Sequence, residues 1–473
     1  MIVEKIIEPK ELNKNERINS FDEVVQNYTE EEALKEAARC LQCKNPTCIK
    51  GCPVNIDIKK FIFELTQKDY QAAYKTLKDK NDFPSICGRV CPAEYQCRKV
   101  CVLTPKDANC SSEKAINIGF LERFVGDKAS SFNGAMRSEQ KKFENKKVAV
   151  VGSGPAGICT AGELAKAGVS VVMFESLHKT GGVLRYGIPL FRLPRNILDY
   201  EIDNLKTLGV EIKTNFIIGK NLSIEELFAE GYSFIFLGLG AGEPSFLGVE
   251  GENLCNVYSA NEFLTRINLM QAYKFPQYHT PINIGRKVVV IGGGNTAMDA
   301  ARCAVRLQKL NGLELNVTVI YRRSEEYMPA RQLELHHAKE EGVRFKFLLQ
   351  PKKINGNESG YVKSLDFYKC ELSENKVNGR KKAVVIEGSN ESVRSDLVIM
   401  AVGLKPNRLL TSVTDNLEID KNFDVVVNPE TMETSIKNVF AGGDIVGGEG
   451  TVIEAMGMGK IAAQTILAKI ITP

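Results

Sequence analysis

The sequence of 473 residues contains no tryptophan and only four histidines. It also lacks an apolar run that could cross a bilayer, because runs such as Phe234–Leu239 fall far short of the roughly 18 residues that a spanning helix needs. The first residues have no apolar stretch of the kind found in a secretory signal. We therefore expect a cytoplasmic protein with no membrane partner.

Neither sign of charge is in large excess, since 62 Lys and Arg face 58 Asp and Glu, for a net charge of +4. Such a mild balance argues against nucleic acid as the main partner. Apolar residues make up 43% and charged residues 25% of the chain, which is ordinary globular composition. At roughly 100–200 residues per domain, we expect about three domains.

The cysteines are distributed unevenly. Nine of the 13 lie between Cys40 and Cys110, and no histidine lies among them. Without a secretory signal, thiols are expected to stay reduced, so the dense group indicates metal ligation or redox chemistry before it indicates disulfides. The absence of histidine from this segment disfavours a mixed Cys/His zinc site.

Eight of these cysteines form two runs, each including a Cys-Pro pair. The first run holds Cys40, Cys43, Cys48 and Cys52-Pro53, and the second holds Cys87, Cys91-Pro92, Cys97 and Cys101. Short loops let several thiolates converge on one iron–sulfur cube, and Cys-Pro is typical of bacterial ferredoxin motifs. We predict two 4Fe-4S clusters. The alternative is one structural zinc site with spare thiols, although eight cysteines exceed what one zinc ion needs.

The chain changes character after the cysteine-rich segment. Residues up to about 140 have helical periodicity, whereas short β-branched runs alternate with helical segments from Lys147 onward. One strand, glycine turn, helix and strand unit occupies residues 148–174 and recurs at residues 288–321. This pattern predicts parallel sheets with crossover helices, and the repeat implies two nucleotide-binding domains.

The first unit carries a complete dinucleotide fingerprint. Gly152, Gly154 and Gly157 follow a strand and open a helix, and Glu175 ends the next strand. The glycines permit a tight turn and close approach of a pyrophosphate to the helix N-terminus, and the carboxylate can accept hydrogen bonds from ribose hydroxyls. We expect FAD or NAD here.

The second unit differs at the end of its second strand, where two arginines replace the carboxylate. Its members are Gly292, Gly294, Asn295, Ala297, Arg322 and Arg323. Guanidinium groups suit a 2′-phosphate, so we predict NADP(H) in this domain. The alternative is that the arginines form a solvated strand end.

A weaker signal lies near the C-terminus, where a strand is followed by Gly442-Gly443-Asp444 and by a helical segment that starts at Thr451. Asp444 could hold a ribityl hydroxyl, and the helix N-terminus could stabilise negative charge on reduced flavin. An aspartate that only shapes the glycine turn explains the pattern about as well.

Together these motifs resemble the glutamate synthase small-subunit family, which includes the flavoprotein part of dihydropyrimidine dehydrogenase and the large subunit of NADH-dependent ferredoxin:NADP oxidoreductase. The resemblance also rests on three further segments. They are Gly181-Gly182-Val-Leu-Arg185-Tyr186-Gly187, Leu237-Gly-Leu-Gly-Ala-Gly242, and Arg322-Arg323-Ser-Glu-Glu-Tyr-Met-Pro-Ala330. It adds Gly182 and Gly242 to the expected cofactor-binding residues.

The resemblance implies an α/β fold in which a helical iron–sulfur domain precedes two Rossmann-like domains, with the NADPH domain inserted in the FAD domain. We expect the iron–sulfur domain at 1–146, the FAD domain at 147–282 and 405–473, and the NADPH domain at 283–404.

The resemblance also implies two ligand sets. Cys40, Cys43, Cys48 and Cys101 would hold one cluster, and Cys52, Cys91 and Cys97 would hold the other with Glu122 as the fourth ligand. An all-cysteine second cluster that uses Cys87 is the alternative.

The expected activity is NADPH-dependent electron transfer through FAD and two 4Fe-4S clusters. The segment from Cys52 to Ile62 looks more like the ferredoxin:NADP oxidoreductase branch. This favours the large subunit of an electron-bifurcating enzyme, whose partners would be ferredoxin and a smaller flavin and iron–sulfur subunit. The alternative is the NADPH-oxidising small subunit of glutamate synthase, partnered by its large subunit.

Overall fold

A computed structural model describes residues 5–106, 108, 110–129, 143–377, 380–448 and 450–471. The chain forms an N-terminal helical region followed by two nucleotide-binding sheets, with a small antiparallel sheet attached to the second of them.

The N-terminal region is helical, as its periodicity predicts. The described helices are α1 Lys14–Asn19, α2 Glu30–Ala38, α3 Thr47–Lys50, α4 Ile58–Thr66, α5 Tyr70–Lys80, α6 Pro84–Val90 and α7 Ile118–Lys128. Polar side chains cap several helix starts; Asp57 accepts from the backbone N–H of Lys60 at the start of α4, and Asp69 from that of Ala72 at the start of α5. Such caps satisfy amide groups that lack intrahelical partners.

Helices α6 and α7 pack backbone to backbone. A Cβ added at Gly88 would lie 2.6 Å from the carbonyl oxygen of Gly119, and one added at Gly126 would lie 2.6 Å from the amide nitrogen of Ser85. Real Cβ atoms do not approach backbone so closely, so the packing depends on glycine at both positions. This contact places Cys91, at the end of α6, close to Glu122 on α7.

The first nucleotide-binding sheet begins after the helical region. Its chain segments are β1 Phe143–Val151, α8 Pro155–Lys166, β2 Val169–Phe174, α9 Val183–Tyr186, α10 Arg195–Thr207, β3 Glu211–Lys213, α11 Ile224–Ala229 and β4 Tyr232–Leu237, followed by β5 Ala241–Pro244. Strands β1 to β4 pair in parallel in the order β4-β1-β2-β3. The first strand starts at Phe143, four residues before the predicted Lys147.

The second sheet is also parallel, with the order β6-β14-β7-β8-β9. The segments from its start to its end are β6 Val257–Ser259, α12 Ala260–Asn268, β7 Val288–Ile291, α13 Asn295–Leu310, β8 Val317–Tyr321, α14 Gln332–Glu340, β9 Arg344–Phe347, β10 Leu349–Gly356, β11 Val362–Val377, β12 Arg380–Val385, β13 Glu391–Arg394 and β14 Leu397–Met400. Strands β10 to β13 form the antiparallel sheet.

The remaining segments return to the first sheet. They are β15 Leu404–Pro406, α15 Arg408–Thr411, β16 Val439–Ala441 and α16 Val452–Ile471. Strand β16 pairs with β4, although the whole second sheet lies between them in sequence. The predicted α/β class and the insertion of one nucleotide domain into the other are therefore confirmed.

The chain passes from the first nucleotide domain to the second after β5 and returns through β15. These two connecting segments lie side by side, because β15 pairs antiparallel with β5. Strand β6 already belongs to the second sheet, so the predicted boundary between residues 282 and 283 is too late. The domain boundary lies between β5 and β6. The cause is that β6 is short and is followed by helix α12, which sequence reading attached to the preceding sheet.

The N-terminal segment contacts the inserted domain as well as the helical region. Ile18, Phe21 and Val24 share one apolar core with α13, and Arg17 Nη1 lies 2.7 Å from Glu340 Oε2 on α14. The predicted unit 1–146 is thus not independent of the second sheet. The residues that form these contacts belong to no recognisable sequence motif, so the sequence does not predict them.

Buried charges join the two nucleotide domains. Arg192, between α9 and α10 of the first domain, lies 2.7 Å from Asp299 on α13 and 3.1 Å from Glu334 on α14. Within the inserted domain, the fully buried Arg302 extends this network by pairing with Glu341 at 2.7 Å. Charges removed from water need such partners, so this network fixes how the domains meet.

Among the residues described here, no helix is long and apolar enough to cross a membrane.

The α6–α7 contact gives a first prediction. Gly88→Ala or Gly126→Ala should lower the free energy of unfolding by about 1–3 kcal/mol, because the added methyl group overpacks the helix pair. Chemical denaturation checks this. The matched control is Gly119→Ala on α7, where the added Cβ would meet its nearest neighbour at 3.4 Å; equal losses in all three variants would contradict it.

Candidate functional site

Four cysteines from the first ligand set line one cavity, and we call Cys40, Cys43, Cys48 and Cys101 the outer ligand group. The other cavity walls are mainly apolar. They include Leu41, Pro46, Ile58, Ile62, Val102, Leu103, Ile116 and Ile118. Burial, and then the charge of Cys101, raise the pKa of the Cys48 thiol to about 12. Metal binding here would therefore release protons from the thiols.

The second set, Cys52, Cys91, Cys97 and Glu122, is named the inner ligand group. Burial raises the pKa of the Cys97 thiol well above its usual range, and the charges of Cys52, Glu122 and Cys91 add to that effect. The four side chains are therefore electrostatic neighbours although they come from three separate segments. The charge of Cys48 also raises the pKa of the Cys97 thiol, so the inner and outer groups are adjacent.

Glu122 is a buried carboxyl group, and its burial raises its pKa to about 8. Its Oε1 accepts a hydrogen bond from the side-chain amide of Asn81. Cys87 lies close by, because its thiol is hydrogen-bonded to Cys91 and the charge of Glu122 raises its pKa. The structure thus brings both candidates for the fourth ligand to one place, and the choice between them stays a prediction.

Among the described residues, no three His, Cys, Asp or Glu side chains converge tightly enough to hold a single metal ion. A 4Fe-4S cluster makes a different demand, because each thiolate binds a separate iron. Four thiols around one largely apolar cavity fit that demand.

The inner ligand group adjoins the first nucleotide domain. Cys87 belongs to the apolar core that contains β1, α8 and α16, and Cys91 packs against it. Val54, two residues after Cys52, contacts α16, since a Cβ added at Gly457 would lie 2.9 Å from a Val54 methyl group. The order in space is therefore nucleotide domain, inner ligand group and outer ligand group.

The predicted FAD residues converge at the start of α8. Gly152 has φ +100°, and a Cβ there would lie 2.3 Å from the carbonyl oxygen of Gly238. Gly182 lies directly on Gly154, with 2.7 Å between its added Cβ and the Gly154 Cα. This forms a cradle free of side chains, into which a pyrophosphate fits.

Glu175 ends β2 beside the glycine turn and is 5% exposed. Its carboxylate accepts hydrogen bonds from the backbone N–H of Ser153 at 3.1 Å and from that of Leu177 at 2.8 Å. The turn around Gly157 is equally tight, because a Cβ at Gly157 would lie 2.0 Å from the Gly152 carbonyl oxygen. The fingerprint residues are therefore held together by the chain itself.

Asp444 joins this site from the C-terminal segment. Burial raises the pKa of Asp444, and burial followed by the charges of Asp444 and Glu175 raises the pKa of Tyr186 to about 12. Thr451 precedes α16, and its Oγ1 donates to the Glu454 carboxylate at 2.9 Å. The glycine fingerprint with Glu175, the segment around Gly182 and Tyr186, and the segment around Asp444 thus meet at one site; a Cβ added at Gly443 would lie 3.3 Å from the Ala156 Cβ on α8.

Gly242 lies elsewhere, on β5 in the strand pair between the two nucleotide domains. Its carbonyl oxygen accepts from the Asn261 side chain at 3.1 Å. It lines a groove together with Val257, Ser259 and Met400 of the inserted domain. Its expected contact with FAD stays a prediction.

The predicted NADP(H) residues lie around the start of α13. Gly292 has φ +141°, and a Cβ there would lie 2.2 Å from the carbonyl oxygen of Ala401 on the neighbouring chain segment. Gly294 is the N-cap residue of α13, and Ala297 is completely buried. Asn295 Oδ1 accepts from the backbone N–H of Arg331 at 2.8 Å, a contact that sequence reading missed.

The two arginines follow β8 and differ in their surroundings. Arg322 is exposed at the carboxyl end of the strand. Arg323 is half-buried, and its Nε donates to the carbonyl oxygen of Lys381 on β12 at 2.8 Å. The antiparallel sheet therefore reaches the expected 2′-phosphate position and orients one of the arginines.

An ion pair links the helical region to α8. Asp82 lies 2.8 Å from Lys166 Nζ, and its carboxylate accepts from the Cys159 thiol at 2.9 Å. Burial opposes ionisation of Asp82, but the ammonium groups of Lys166, Lys460 and Lys78 outweigh it and lower its pKa to about 2. No motif identifies this contact in the sequence.

Comparison with known proteins agrees with this division. Residues 17–133 match the family model described as dihydropyrimidine dehydrogenase domain II, 4Fe-4S cluster. Residues 146–459 match the model described as pyridine nucleotide-disulphide oxidoreductase. The glutamate synthase [NADPH] small chain of Escherichia coli K12 is 34% identical over 98% of this chain and 97% of its own length.

The chain belongs to the glutamate synthase small-subunit family. The family includes the glutamate synthase [NADPH] small chain of Azospirillum brasilense, which is 32% identical over 96% of this chain and 92% of its own length. The NADPH-Fe(3+) oxidoreductase subunit beta of Geobacter sulfurreducens is 34% identical over 89% of this chain and 63% of its own length. These matches confirm the predicted family and an NADPH-dependent oxidoreductase with iron–sulfur, FAD and NADP sites.

Solved structures share the fold of the nucleotide-binding part. Mycobacterium tuberculosis FprA in complex with NADPH is 21% identical, with a TM-score of 0.57 over 68% of this chain and 84% of its own. The thioredoxin reductase of T. acidophilum is 20% identical, with a TM-score of 0.51 over 69% of this chain and 100% of its own. At this identity, the likeness concerns the fold alone.

The ion pair at the domain contact gives a second prediction. Asp82→Asn should lower the free energy of unfolding at pH 7 by about 1–3 kcal/mol, because the half-buried Lys166 loses one of its two carboxylate partners, Asp82 and Glu163. Since the pKa of Asp82 is lower in the folded state, this contribution is present above about pH 4 and is lost as the pH falls toward about 2.

Unfolding measured at pH 7 and pH 3 checks the prediction, and the gap between wild type and variant should narrow at pH 3. Asp79→Asn serves as the control, because Asp79 is an exposed carboxylate near the end of α5, three residues before Asp82. A gap that is unchanged between the two pH values would contradict the assignment.

Proposed function

We propose that this chain transfers electrons between NADP(H) and a protein acceptor, using two 4Fe-4S clusters held by the inner and outer ligand groups. Bound FAD would exchange hydride with the nicotinamide and release electrons singly, and the clusters would carry single electrons. The observation that carries the proposal is the order of contacts, since the inner ligand group packs on the core of the first nucleotide domain and shares a second core with the outer ligand group.

The roles of the chain's own residues follow from that order. Cys40, Cys43, Cys48 and Cys101 would bind the outer cluster, and Cys52, Cys91, Cys97 and Glu122 would bind the inner one. The core shared by α6, α8 and α16 would hold the inner cluster at a fixed distance from the flavin. The Asp82–Lys166 ion pair supports the same contact.

We assign the FAD pyrophosphate to the cradle around Gly152, Gly154, Gly157 and Gly182, with Glu175 directed to the ribose and Asp444 to the ribityl chain. The N-terminus of α16 at Thr451 would face developing negative charge on the flavin, which the helix dipole favours. Gly242 would contribute from the strand pair between the nucleotide domains.

For NADP(H), Gly292, Gly294, Asn295 and Ala297 would form the pyrophosphate turn. Arg322 and Arg323 would contact the 2′-phosphate, with the Arg323 guanidinium held by the Lys381 carbonyl group.

The arginine assignment gives a third prediction. Arg322→Ala should raise KM for NADPH about 10- to 100-fold and leave KM for NADH unchanged, because charge-assisted hydrogen bonds contribute about 1.5–3 kcal/mol. Steady-state kinetics with both nucleotides checks this. Arg286→Ala is the matched control, since Arg286 is exposed at the opposite, amino end of the same sheet; equal changes with both nucleotides would contradict the assignment.

The rim of the outer ligand group supports a protein acceptor at that face. Leu41 and Val102 line the cavity of the outer ligand group and are 48% and 52% exposed. Phe63, the residue after the cavity-lining Ile62, is 52% exposed. Exposed lysines occur in the same chain segments as these apolar side chains, namely Lys44, Lys50, Lys60 and Lys99. An apolar centre with a basic rim suits an acidic electron carrier.

We therefore propose ferredoxin as the acceptor at this face. In this assignment, the chain is the large subunit of an electron-bifurcating NADH-dependent ferredoxin:NADP oxidoreductase. A smaller flavin and iron–sulfur subunit would be its second partner.

A second candidate is the NADPH-oxidising small subunit of glutamate synthase. The near full-length match to the Escherichia coli and Azospirillum brasilense small chains favours it. In that case, a glutamate synthase large subunit would cover the same rim.

The basic rim gives a fourth prediction that separates these candidates. Lys44→Glu/Lys50→Glu should slow NADPH-dependent reduction of an acidic ferredoxin about tenfold and flatten its salt dependence, because steering is electrostatic. Reduction of a small neutral dye should not change. Lys421→Glu, an exposed lysine on the first nucleotide domain, is the control.

An unchanged ferredoxin rate in the rim variant would contradict the ferredoxin assignment. Glutamine-dependent oxidation of NADPH on addition of a glutamate synthase large subunit would instead establish the second candidate.

A further inference from the structure

We propose that Asn81 is a positioning residue for the inner cluster: it holds one oxygen of the Glu122 carboxylate and leaves the other for iron. The inference rests on the proposed function, in which Glu122 is the fourth ligand of that cluster. Nothing in the sequence motifs indicates a role for Asn81, which lies outside both cysteine runs.

The position of the Asn81 side chain is fixed from both ends of its amide group. Asn81 is completely buried at the C-terminal end of α5, where its backbone N–H donates to the Leu77 carbonyl oxygen at 2.8 Å. Its Oδ1 accepts from the backbone N–H of Phe83 at 2.8 Å. The amide nitrogen is therefore directed to Glu122, where Nδ2 donates to Oε1.

The Asn81–Glu122 hydrogen bond offsets part of the free-energy cost of burying a carboxylate ligand. Glu122 is 7% exposed, and a carboxylate removed from water is costly unless it is hydrogen-bonded. The Asn81 amide supplies a donor at Oε1 without adding charge. In the proposed arrangement, Oε2 is the oxygen that would bind iron. Partners of this kind commonly orient metal ligands and tune the metal's properties.

Asn81 also connects the candidate ligand to the flavin side of the molecule. The next residue, Asp82, forms the ion pair with Lys166 on α8, and its backbone N–H lies 3.2 Å from the Met456 sulfur on α16. One dipeptide thus contacts the inner ligand group through its first side chain and the FAD domain through its second. We infer that it sets the position of Glu122 relative to the flavin domain.

The test reverses donor and acceptor in the pair. Asn81→Asp places one carboxylate against another, so the inner cluster should be lost or bound 10- to 100-fold more weakly, while the outer cluster keeps its signal. In the double variant Asn81→Asp/Glu122→Gln, the amide at position 122 donates to the carboxylate at position 81, and the inner cluster should return.

Iron content and the electron paramagnetic resonance spectra of the anaerobically reduced full chain provide the readout, together with the midpoint potential of each cluster. Thr76→Val is the matched control, because it removes a buried hydrogen bond to a different carboxylate, Glu64, from the same helix. It should leave both signals and both potentials unchanged.

Unchanged signals and potentials in Asn81→Asp would overturn the inference, as would a double variant that does not regain the inner signal. If the single variant cannot be purified, the double variant decides alone. A wild-type chain that binds no second cluster would instead refute the proposed function, and the two failures are therefore distinguishable.

Discussion

The close packing of helices α6 and α7 is the constraint on which the rest of the molecule depends. Glycine at positions 88 and 126 lets the two backbones touch, and this contact brings Cys91 and Glu122 together from segments about thirty residues apart in the chain. The other face of α6 lies in the core of the first nucleotide domain. One short helix therefore belongs to the inner ligand group and to the wall of the flavin domain at once.

Burial at this contact has two consequences. It raises the pKa values of the Cys97 thiol and the Glu122 carboxyl group in the absence of metal, so ligand ionisation and cluster binding are coupled. It also requires every charge at the contact to be paired, as Asp82 is with Lys166. The same rule holds between the nucleotide domains, where Arg192 pairs with Asp299.

Much of the fold was predictable, because glycine fingerprints, strand periodicity and cysteine spacing are local signals. The sequence therefore indicated both nucleotide domains and the helical region, whereas the insertion of one nucleotide domain in the other was expected only from the resemblance to the family. The sequence misplaced the boundary between the nucleotide domains, since β6 is only three residues long. It also missed the contact of Phe21 with the inserted domain, the Arg323–Lys381 hydrogen bond and the Asn81–Glu122 hydrogen bond. These are long-range contacts between residues that form no motif, so only the folded chain reveals them.

The central claim is that the N-terminal thiols hold two clusters that receive electrons from NADPH through the flavin site. The most direct test is anaerobic titration of the purified holoprotein with NADPH, with iron analysis and electron paramagnetic resonance on the same sample. We expect about eight irons per chain, as two 4Fe-4S clusters require, loss of the yellow flavin absorption, and two distinct cluster signals. A chain with about four irons, or one whose clusters stay oxidised while the flavin bleaches, would contradict the account.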